Sequence, residues 1–562
     1  MKARFLISIS AFLICVVSVT TLRAQSIAGN RLSGNTPNGW GKGGKPKPTP
    51  TPSPIPGDPN YTRTTSNTAG TADQWSAGTN WDATPTSGAT TQLVFGNGAA
   101  LAAGATIFTN NDLVGNFQLN ILNFTYAGPA SGAAPTVTIS GSPLEFVSNG
   151  ATTPTMTFNA TGTVKPVVTI TNDIVLTNNL TLTATTNGTL SGTISGAGSL
   201  NKLGTSTLTL SGPNTFSGGV IWGSATTQSS AGLLSIGSSS VGGPGNITSG
   251  PLGTGTLTVR NNGAASTSFI QSTDSTTRTI SNAILFGGTG INFNTGGTGD
   301  LIFDGTMNLA SGGRTFNINN TNTTFSNTIS GVAGGTLTKG GTGTLILSKA
   351  TGNTYTAGTS LSAGSINVQN TSGSATGSGA FNFTNAAATT ATLLSGAGTT
   401  GIITGLVTTA NTDSTITPGG VGTVGALTLS GGLTATSGAT FKFDLGATNN
   451  SDLISLSSGV FTAPTASNSG LLKISFGALS GVQSGATYKL FSYGSQTNLD
   501  AGDFSVINSP AFAGAMFTVT GSEVDVTFTA VPEPSTYAAA ALAFAALCYN
   551  QRRRFKQLLK RA

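Results

Sequence analysis

Hydrophobic and polar residues alternate along this chain in short runs, each closed within a few positions by Gly, Asn or Ser. Examples are Leu-Thr-Leu-Thr at 180–183, Leu-Thr-Leu at 208–210 and Leu-Ile-Leu at 345–347. Successive side chains of a strand point to opposite faces, so a period of two predicts strands with one buried face. No long segment of helical periodicity occurs between residues 61 and 530. The pattern predicts an all-β body, either a stacked solenoid or a set of sandwiches.

An internal repeat favours the solenoid. Residues 194–220 and 329–358 carry the same ordered elements, with a constant offset of 137 from Leu200 to Leu210 and turn insertions on either side. Leucines two apart face one core, glycines permit the corners, and Phe216 or Tyr355 can stack on the coil beneath. The unit resembles the autotransporter-associated β-strand repeat of β-helical bacterial surface proteins. We therefore expect a right-handed parallel β-helix or β-solenoid.

The first 24 residues have the parts of a secretory signal peptide. Lys2 and Arg4 precede an apolar run from Phe5 to Val19, and the segment closes at Ala24. The run has about fifteen residues where a membrane span needs about twenty, which favours a cleaved signal over an uncleaved anchor. The exact cleavage point stays open, because Leu22 is not a small residue.

The end of the chain carries three ordered elements. Pro532, Glu533 and Pro534 precede an apolar, Ala-rich run at 536–549, and the basic stop Arg552, Arg553 and Arg554 follows. The arginines predict a cytoplasmic C-terminus with the body outside. The segment resembles the PEP-CTERM sorting domain of Gram-negative bacteria. That resemblance implies a short transmembrane helix that holds the protein in the inner membrane, processing by an exosortase-type enzyme, and delivery to the cell surface or extracellular matrix. A retained single-pass anchor is the alternative.

These features divide the chain into five expected parts. They are a signal peptide at 1–24, a Gly/Pro-rich linker at 25–60, a β-solenoid at 61–440, a C-terminal β region at 441–530 and the sorting segment at 531–562. Proline at every second position from 46 to 56 favours polyproline II, so the linker should act as a semi-rigid spacer.

Composition narrows the chemistry. Only 7% of the residues are charged, no histidine occurs, and the two cysteines, Cys15 and Cys548, lie in the terminal apolar segments. Imidazole catalysis, a disulfide framework, a Cys-ligated metal and a thiol nucleophile in the body are therefore excluded. We expect no cofactor and no metal.

The net charge of +7 belongs to the termini. Residues 64–530 hold ten Lys and Arg against fifteen Asp and Glu, a net of −5. Nucleic acid is therefore not an expected partner, because its recognition depends on a basic surface.

Three glycine motifs resemble ligand sites but lack the required context. Residues 39–45 match a P-loop up to the lysine, yet Pro46 replaces the Ser or Thr and prevents the helix. Residues 420–425 match a dinucleotide fingerprint with Asp444 nineteen positions on, but a strand follows where a helix is needed. Residues 296–300 resemble a calcium nonapeptide without its tandem array, which leaves calcium a weak option.

Carboxylates are the remaining candidates for catalysis. Asp300 and Asp304 lie four apart across an apolar triplet and should share one strand face, and Asp452 suggests a turn. Acids on neighbouring coils could converge in a glycosidase or polysaccharide lyase. Exposed Thr-x-Thr ladders could bind ice or glycan, although Thr is also simply favoured at outward strand positions.

The sequence thus predicts an exported structural or adhesive protein and not an enzyme. The resemblance of its tail implies an association with exopolysaccharide or biofilm, so surface glycans are possible partners. The alternative is a β-helical carbohydrate-active enzyme that uses Asp or Glu.

Overall fold

The computed structural model describes residues 60–63, 73–77, 81–224, 231–260, 268–288, 290–293, 299–332, 334–385, 392–398, 400–410, 414–420, 422–447, 450–465, 470–508, 512, 514–529, 545–547, 549 and 551–552. All of them belong to the compact unit Ile55–Ala562, and the unit Met1–Pro54 lies outside them. The expected signal peptide, the linker up to residue 59, and Pro532, Glu533, Pro534, Arg553 and Arg554 are likewise outside the described residues.

The described chain is all-β and consists of short strands paired almost entirely in parallel. Buried and half-buried residues alternate within the strands, as in Leu180–Ala184. Most strands pair with the strands one coil earlier and one coil later. These pairings form five sheets, which we number 1 to 5. The all-β prediction is confirmed, and the long parallel sheets are consistent with a β-solenoid.

Sheet 1 has eleven described strands, in chain order. They are Asn60–Arg63, Gln92–Phe95, Ile121–Phe124, Thr155–Phe158, Leu180–Ala184, Leu200–Leu203, Val220–Trp222, Leu257–Val259, Ile284–Phe286, Met307–Asn308 and Ile329–Ser330.

Sheet 2 is the longest sheet of the described chain and runs through both halves of the body. Its strands are Asp73–Gln74, Thr106–Asn111, Thr136–Gly141, Val167–Ile170, Gly188–Leu190, Leu208–Leu210, Leu233–Ile236, Phe269–Ser272, Gly290–Phe293, Arg314–Ile318, Leu337–Gly340, Thr359–Leu361, Phe381–Phe383, Val407–Thr408, Leu433–Thr434, Val460–Thr462 and Ser495–Thr497.

Three shorter sheets complete the coils. Sheet 3 contains Phe117–Leu119, Leu144–Phe146, Ile174–Leu176 and Ile194–Ser195. Sheet 4 contains Arg278–Ile280, Leu301–Phe303, Asn322–Phe325, Thr344–Leu347, Gly364–Val368, Thr392–Ser395, Ser414–Thr417, Thr440–Leu445, Leu472–Ala478 and Phe504–Val506. Sheet 5 contains Ile402–Ile403, Ala426–Leu429, Leu453–Ser455, Thr487–Ser492, Met516–Val519 and Glu523–Thr527. The 3-10 helix Ala501–Asp503 lies in sequence between Ser495–Thr497 of sheet 2 and Phe504–Val506 of sheet 4.

Coils that pass through three sheets visit them in a fixed order, whereas the strands between Leu200 and Ser272 alternate between sheets 1 and 2, and those between Leu337 and Ser395 alternate between sheets 2 and 4. Early coils visit sheets 1, 2 and 3, middle coils visit sheets 1, 2 and 4, and late coils visit sheets 2, 4 and 5. Backbone bonds from Thr354 N to Ile329 O (2.9 Å) and from Ala375 N to Ile402 O (2.9 Å) connect the end of sheet 1 to the start of sheet 5. The parallel stacking continues past residue 440, the expected boundary of the solenoid, up to Ser495–Thr497 and Phe504–Val506.

The core lies inside the coils and is built from columns of stacked side chains. In sheet 1, for example, Leu93, Leu122, Met156 and Leu182 are in register and fully buried. Large apolar side chains bury most area per residue, so these columns supply most of the stabilising energy. The corners need glycine: Gly204 has φ +83°, and a Cβ there would lie 2.2 Å from Ala184 O.

The two repeat copies occupy different sheets. In the first copy, Ile194–Ser195, Leu200–Leu203 and Leu208–Leu210 lie in sheets 3, 1 and 2. In the second copy, the matching strands Ile329–Ser330 and Leu337–Gly340 lie in sheets 1 and 2, and Thr344–Leu347 lies in sheet 4. The repeat unit is therefore a local strand-and-corner structure, and it is displaced by one face of the coil between its two copies.

The two ends of the described stack are closed in different ways. Trp75 packs edge-on against Trp81 (5.6 Å between ring centroids) and Phe117 (5.2 Å) at the first coils. At the last coils, Thr487–Ser492 and Met516–Val519 both pair antiparallel with Glu523–Thr527. Antiparallel pairing ends the parallel ladder there and reduces its open edge.

Near the C-terminus, residues 545–547, 549 and 551–552 are helical, and Arg552 is exposed. Within the described residues, no helix is long and apolar enough to cross a bilayer.

Candidate functional site

A groove of uniform, uncharged chemistry lies on the outer face of sheet 4. Its volume is about 300 Å³. It is lined by hydroxyl, amide and aliphatic side chains and one glycine: Asn322, Thr344, Ile346, Ser365, Asn367, Gln369, Leu393, Ser395, Thr417 and Gly420. None of these lining residues is charged. We call it the sheet-4 groove.

The register of sheet 4 explains why these residues meet. Asn322, Thr344, Ser365 and Leu393 are cross-strand partners in successive coils and form one outward column. A second outward column contains Ile346, Asn367, Ser395 and Thr417. Neighbouring parallel strands are about 4.8 Å apart, so the five coils span roughly 19 Å along the stacking axis.

Hydrogen bonds hold the amide side chains of the groove in place. Asn367 Nδ2 donates to Ser395 Oγ (2.8 Å) and to Gly396 O (3.0 Å), and Gln369 Nε2 donates to Asn367 Oδ1 (2.8 Å). A polar surface that is already ordered loses little side-chain entropy when it binds a ligand.

Charged residues lie only near the ends of the groove. At one end, Asn322 Nδ2 donates to Asp300 Oδ2 (3.0 Å). At the other, Thr417 also lines a second depression of about 170 Å³ together with Lys442 and Asp444. Between these ends the groove offers neutral donors and acceptors alone.

Sheet 2 carries a second polar surface, which is a column and not a groove. Eight cross-strand partners follow one another along its outer face, all with a hydroxyl or an amide: Thr315, Thr338, Ser360, Asn382, Thr408, Thr434, Thr462 and Thr497. All but Thr497 are half-buried. We call it the sheet-2 column.

The glycine loop at 420–425 binds an anion of its own chain. Gly422 N (2.6 Å) and Thr423 N (3.1 Å) donate to Asp444 Oδ2. The sequence singled out this loop and Asp444 as a weak dinucleotide fingerprint. The Asp444 carboxylate therefore accepts hydrogen bonds from the backbone N–H groups that a bound phosphate would need.

Asp452 is buried beside this loop. Its Oδ1 accepts from Gly425 N (2.7 Å) and its Oδ2 accepts from Asp444 N (2.9 Å). Burial raises the pKa of Asp452 to about 7, with the nearby Asp444 carboxylate adding to the rise. With 1% of its surface exposed and both oxygens bonded to backbone, Asp452 fastens two coils and does not face a substrate.

Asp300 and Asp304 flank the strand Leu301–Phe303, and both are half-buried. Asp300 Oδ1 accepts from Asn322 N (2.8 Å) and Asn320 Nδ2 (3.2 Å), so it organises the next coil. Asp304 Oδ1 is buried without a hydrogen-bond partner among the described residues. The described residues contain no group of three or more acids or cysteines that could hold a metal ion, and residues 296–298 of the calcium-like motif lie outside them.

Two buried lysines were not anticipated from the sequence. Lys202 Nζ donates to Gly204 O (2.9 Å), Ser206 O (2.8 Å) and Ala231 O (2.5 Å). Lys339, at the matching position of the second repeat copy, donates to Gly340, Gly341 and Ala363 carbonyls, each at 2.9 Å. Burial lowers the pKa of both lysines to about 7. Both lysines point into the coil. Lys202 lies two positions after the buried Leu200, and Lys339 lies two positions after the buried Leu337, so strict alternation along each strand could have predicted their burial.

Of the expected site residues, only Arg552 lies within the described chain, and it is helical and exposed. The fold and the groove define a parallel, stacked all-β body with an uncharged polar surface. Comparison with protein-family models and with curated proteins finds no match to this chain.

Proposed function

We propose that this protein is exported to the cell surface or extracellular matrix, where its body serves a structural or adhesive role in association with exopolysaccharide. In this proposal the body is a right-handed parallel β-helix of autotransporter-associated type. Residues 1–24 direct export, and residues 531–562 act as a PEP-CTERM-like sorting segment of a Gram-negative bacterium. The C-terminal helix holds the protein in the inner membrane until an exosortase-type enzyme acts on it.

The observation that supports the proposal is the sheet-4 groove. Its neutral hydroxyl and amide groups lie beside the aliphatic Ile346 and Leu393, a combination suited to sugar hydroxyls and sugar C–H faces. A body with a net charge of −5 also repels long anionic partners. Its backbone ladders and stacked core suit a load-bearing scaffold.

The alternative, a carbohydrate-active enzyme, requires two carboxylates that face one substrate. Asp452 is buried and bonded to backbone, and Asp300 accepts hydrogen bonds from the backbone N of Asn322 and from the Asn320 side chain. These observations favour no catalytic role for either residue.

Cell fractionation tests the proposal. The full chain should be recovered from the surface or matrix fraction, and replacement of Pro532, Glu533 and Pro534 by alanine should leave it in the membrane fraction. Recovery of the unaltered protein in the cytoplasm would contradict export. Release of reducing ends from polysaccharides, abolished by Asp300→Ala or Asp304→Ala, would establish the enzyme instead.

A further inference from the structure

We infer that the sheet-4 groove binds a neutral, linear polysaccharide whose chain crosses successive coils along the stacking axis. The inference rests on the proposed function and deepens it, because it names the site and the class of glycan.

The direction of binding follows from the geometry. The two outward columns of sheet 4 place one side chain about every 4.8 Å, and together they cover five coils over roughly 19 Å with at least one polar group on each coil. A linear polymer of several sugar units can contact them all. A ligand lying parallel to the strands would meet one coil only. The groove therefore fits a chain that runs from Asn322 toward Thr417.

The charge of the ligand follows from the lining. Between Asp300 and Lys442 the groove offers no cation to a carboxylate or sulfate group. Charge-assisted hydrogen bonds are stronger than neutral ones, so a site for an acidic glycan would be expected to include Arg or Lys. The uncharged lining and the net charge of −5 both select a neutral glycan.

The groove is favoured over the sheet-2 column for two reasons. It is concave, with a volume of about 300 Å³, so a ligand is contacted from more than one side. Its amides are also fixed by the bonds among Gln369, Asn367 and Ser395.

The same coil offers a matched pair of variants. Ser365 and Ser360 both lie at half-buried outward positions, the first in the sheet-4 groove and the second in the sheet-2 column. Ser365→Arg should fill the groove, whereas Ser360→Arg adds the same side chain to the other face. A second pair is the double variant Asn367→Ala with Gln369→Ala, against Asn382→Ala in the sheet-2 column.

Binding is measured by affinity electrophoresis of the purified full chain in gels containing dextran, pullulan, hydroxyethylcellulose or galactomannan, with alginate as the acidic probe. Circular dichroism verifies that each variant keeps its β structure. The chain should be retarded by at least one neutral polymer and not by alginate. The amide double variant should weaken that binding about tenfold, the loss expected for two hydrogen bonds. Ser365→Arg should also weaken it, and the controls should bind as the unaltered chain.

Retained binding in both groove variants would overturn the groove assignment and leave the glycan-associated function intact, and a loss of binding in Ser360→Arg would then assign the binding to the sheet-2 column. Binding of alginate alone would overturn the neutral class of ligand. Failure to bind any of the five polymers would overturn the inference, while export and surface delivery would still be decided by fractionation.

Discussion

Asn353 should be among the most sensitive polar positions of the body. Its Oδ1 accepts from Ile329 N (2.7 Å) and its Nδ2 donates to Ala375 O (2.6 Å), which joins three successive coils through one side chain. Asn214 makes the matching bonds in the first repeat copy, with Ile194 N and Pro251 O, each at 2.8 Å.

The Asn353→Ala variant leaves a buried N–H and a buried C=O without partners. Each unsatisfied group costs about 1–3 kcal/mol, so the free energy of unfolding should fall by about 2–6 kcal/mol. Urea unfolding followed by circular dichroism measures this loss. Asn382→Ala, on the half-buried outer face of sheet 2, is the control and should change it by about 0.5 kcal/mol or less.

Asn353→Asp refines the test. A carboxylate can accept from Ile329 N, but it opposes the lone pairs of Ala375 O unless it is protonated. The variant should therefore be less stable at neutral pH than near pH 4, relative to the unaltered chain. If Asn353→Ala were no more harmful than Asn382→Ala, the assignment of Asn353 as a link between coils would be refuted.

Two further predictions concern the two buried lysines and a close contact within sheet 4. The pKa of Lys202 and Lys339 is lowered to about 7 from an ordinary value of 10.5, so the folded chain binds fewer protons between these values and its stability should rise with pH in that window. The urea concentration at the midpoint of unfolding should therefore rise between about pH 6.5 and 9. The double variant Lys202→Met with Lys339→Met should show a smaller rise with pH. An equal rise in the variant and the unaltered chain would contradict the lowered pKa of the two lysines. Gly477→Ala should destabilise the body by about 1–3 kcal/mol, an overpacking cost, because a Cβ would lie 1.9 Å from Asp444 Oδ1. The same change should cost less in an Asp444→Ala background, and identical costs in thermal unfolding would show that the carboxylate is not the obstacle.

Much of the local structure was predictable from the sequence. The Leu-Thr-Leu runs at 180–182 and 208–210 form strands with buried leucines, because alternation and burial depend only on neighbouring residues. The corner glycine Gly204 was likewise expected, because glycine adopts a positive φ readily and this preference depends on the residue itself.

The arrangement of faces was not predictable in the same way. The groove brings together residues from five coils, and their alignment depends on the length of every intervening turn. The two repeat copies illustrate the point, because the similar sequences at 194–220 and 329–358 lie one face apart. Lys202 shows another limit of prediction. The alternation of the strand places its side chain inside the coil with Leu200, whereas its charge favours the surface. The buried position is possible because Nζ donates to three backbone carbonyls, which the sequence does not reveal.

The proposal of export and sorting is tested most directly by intact-mass and terminal-peptide mass spectrometry of the protein recovered from the cells that make it. Our account predicts a surface-fraction protein that lacks residues 1–24 and lacks Arg552, Arg553 and Arg554, with a new C-terminus near Pro532–Pro534. Recovery of a full-length chain that retains both terminal segments in the cytoplasmic fraction would contradict it.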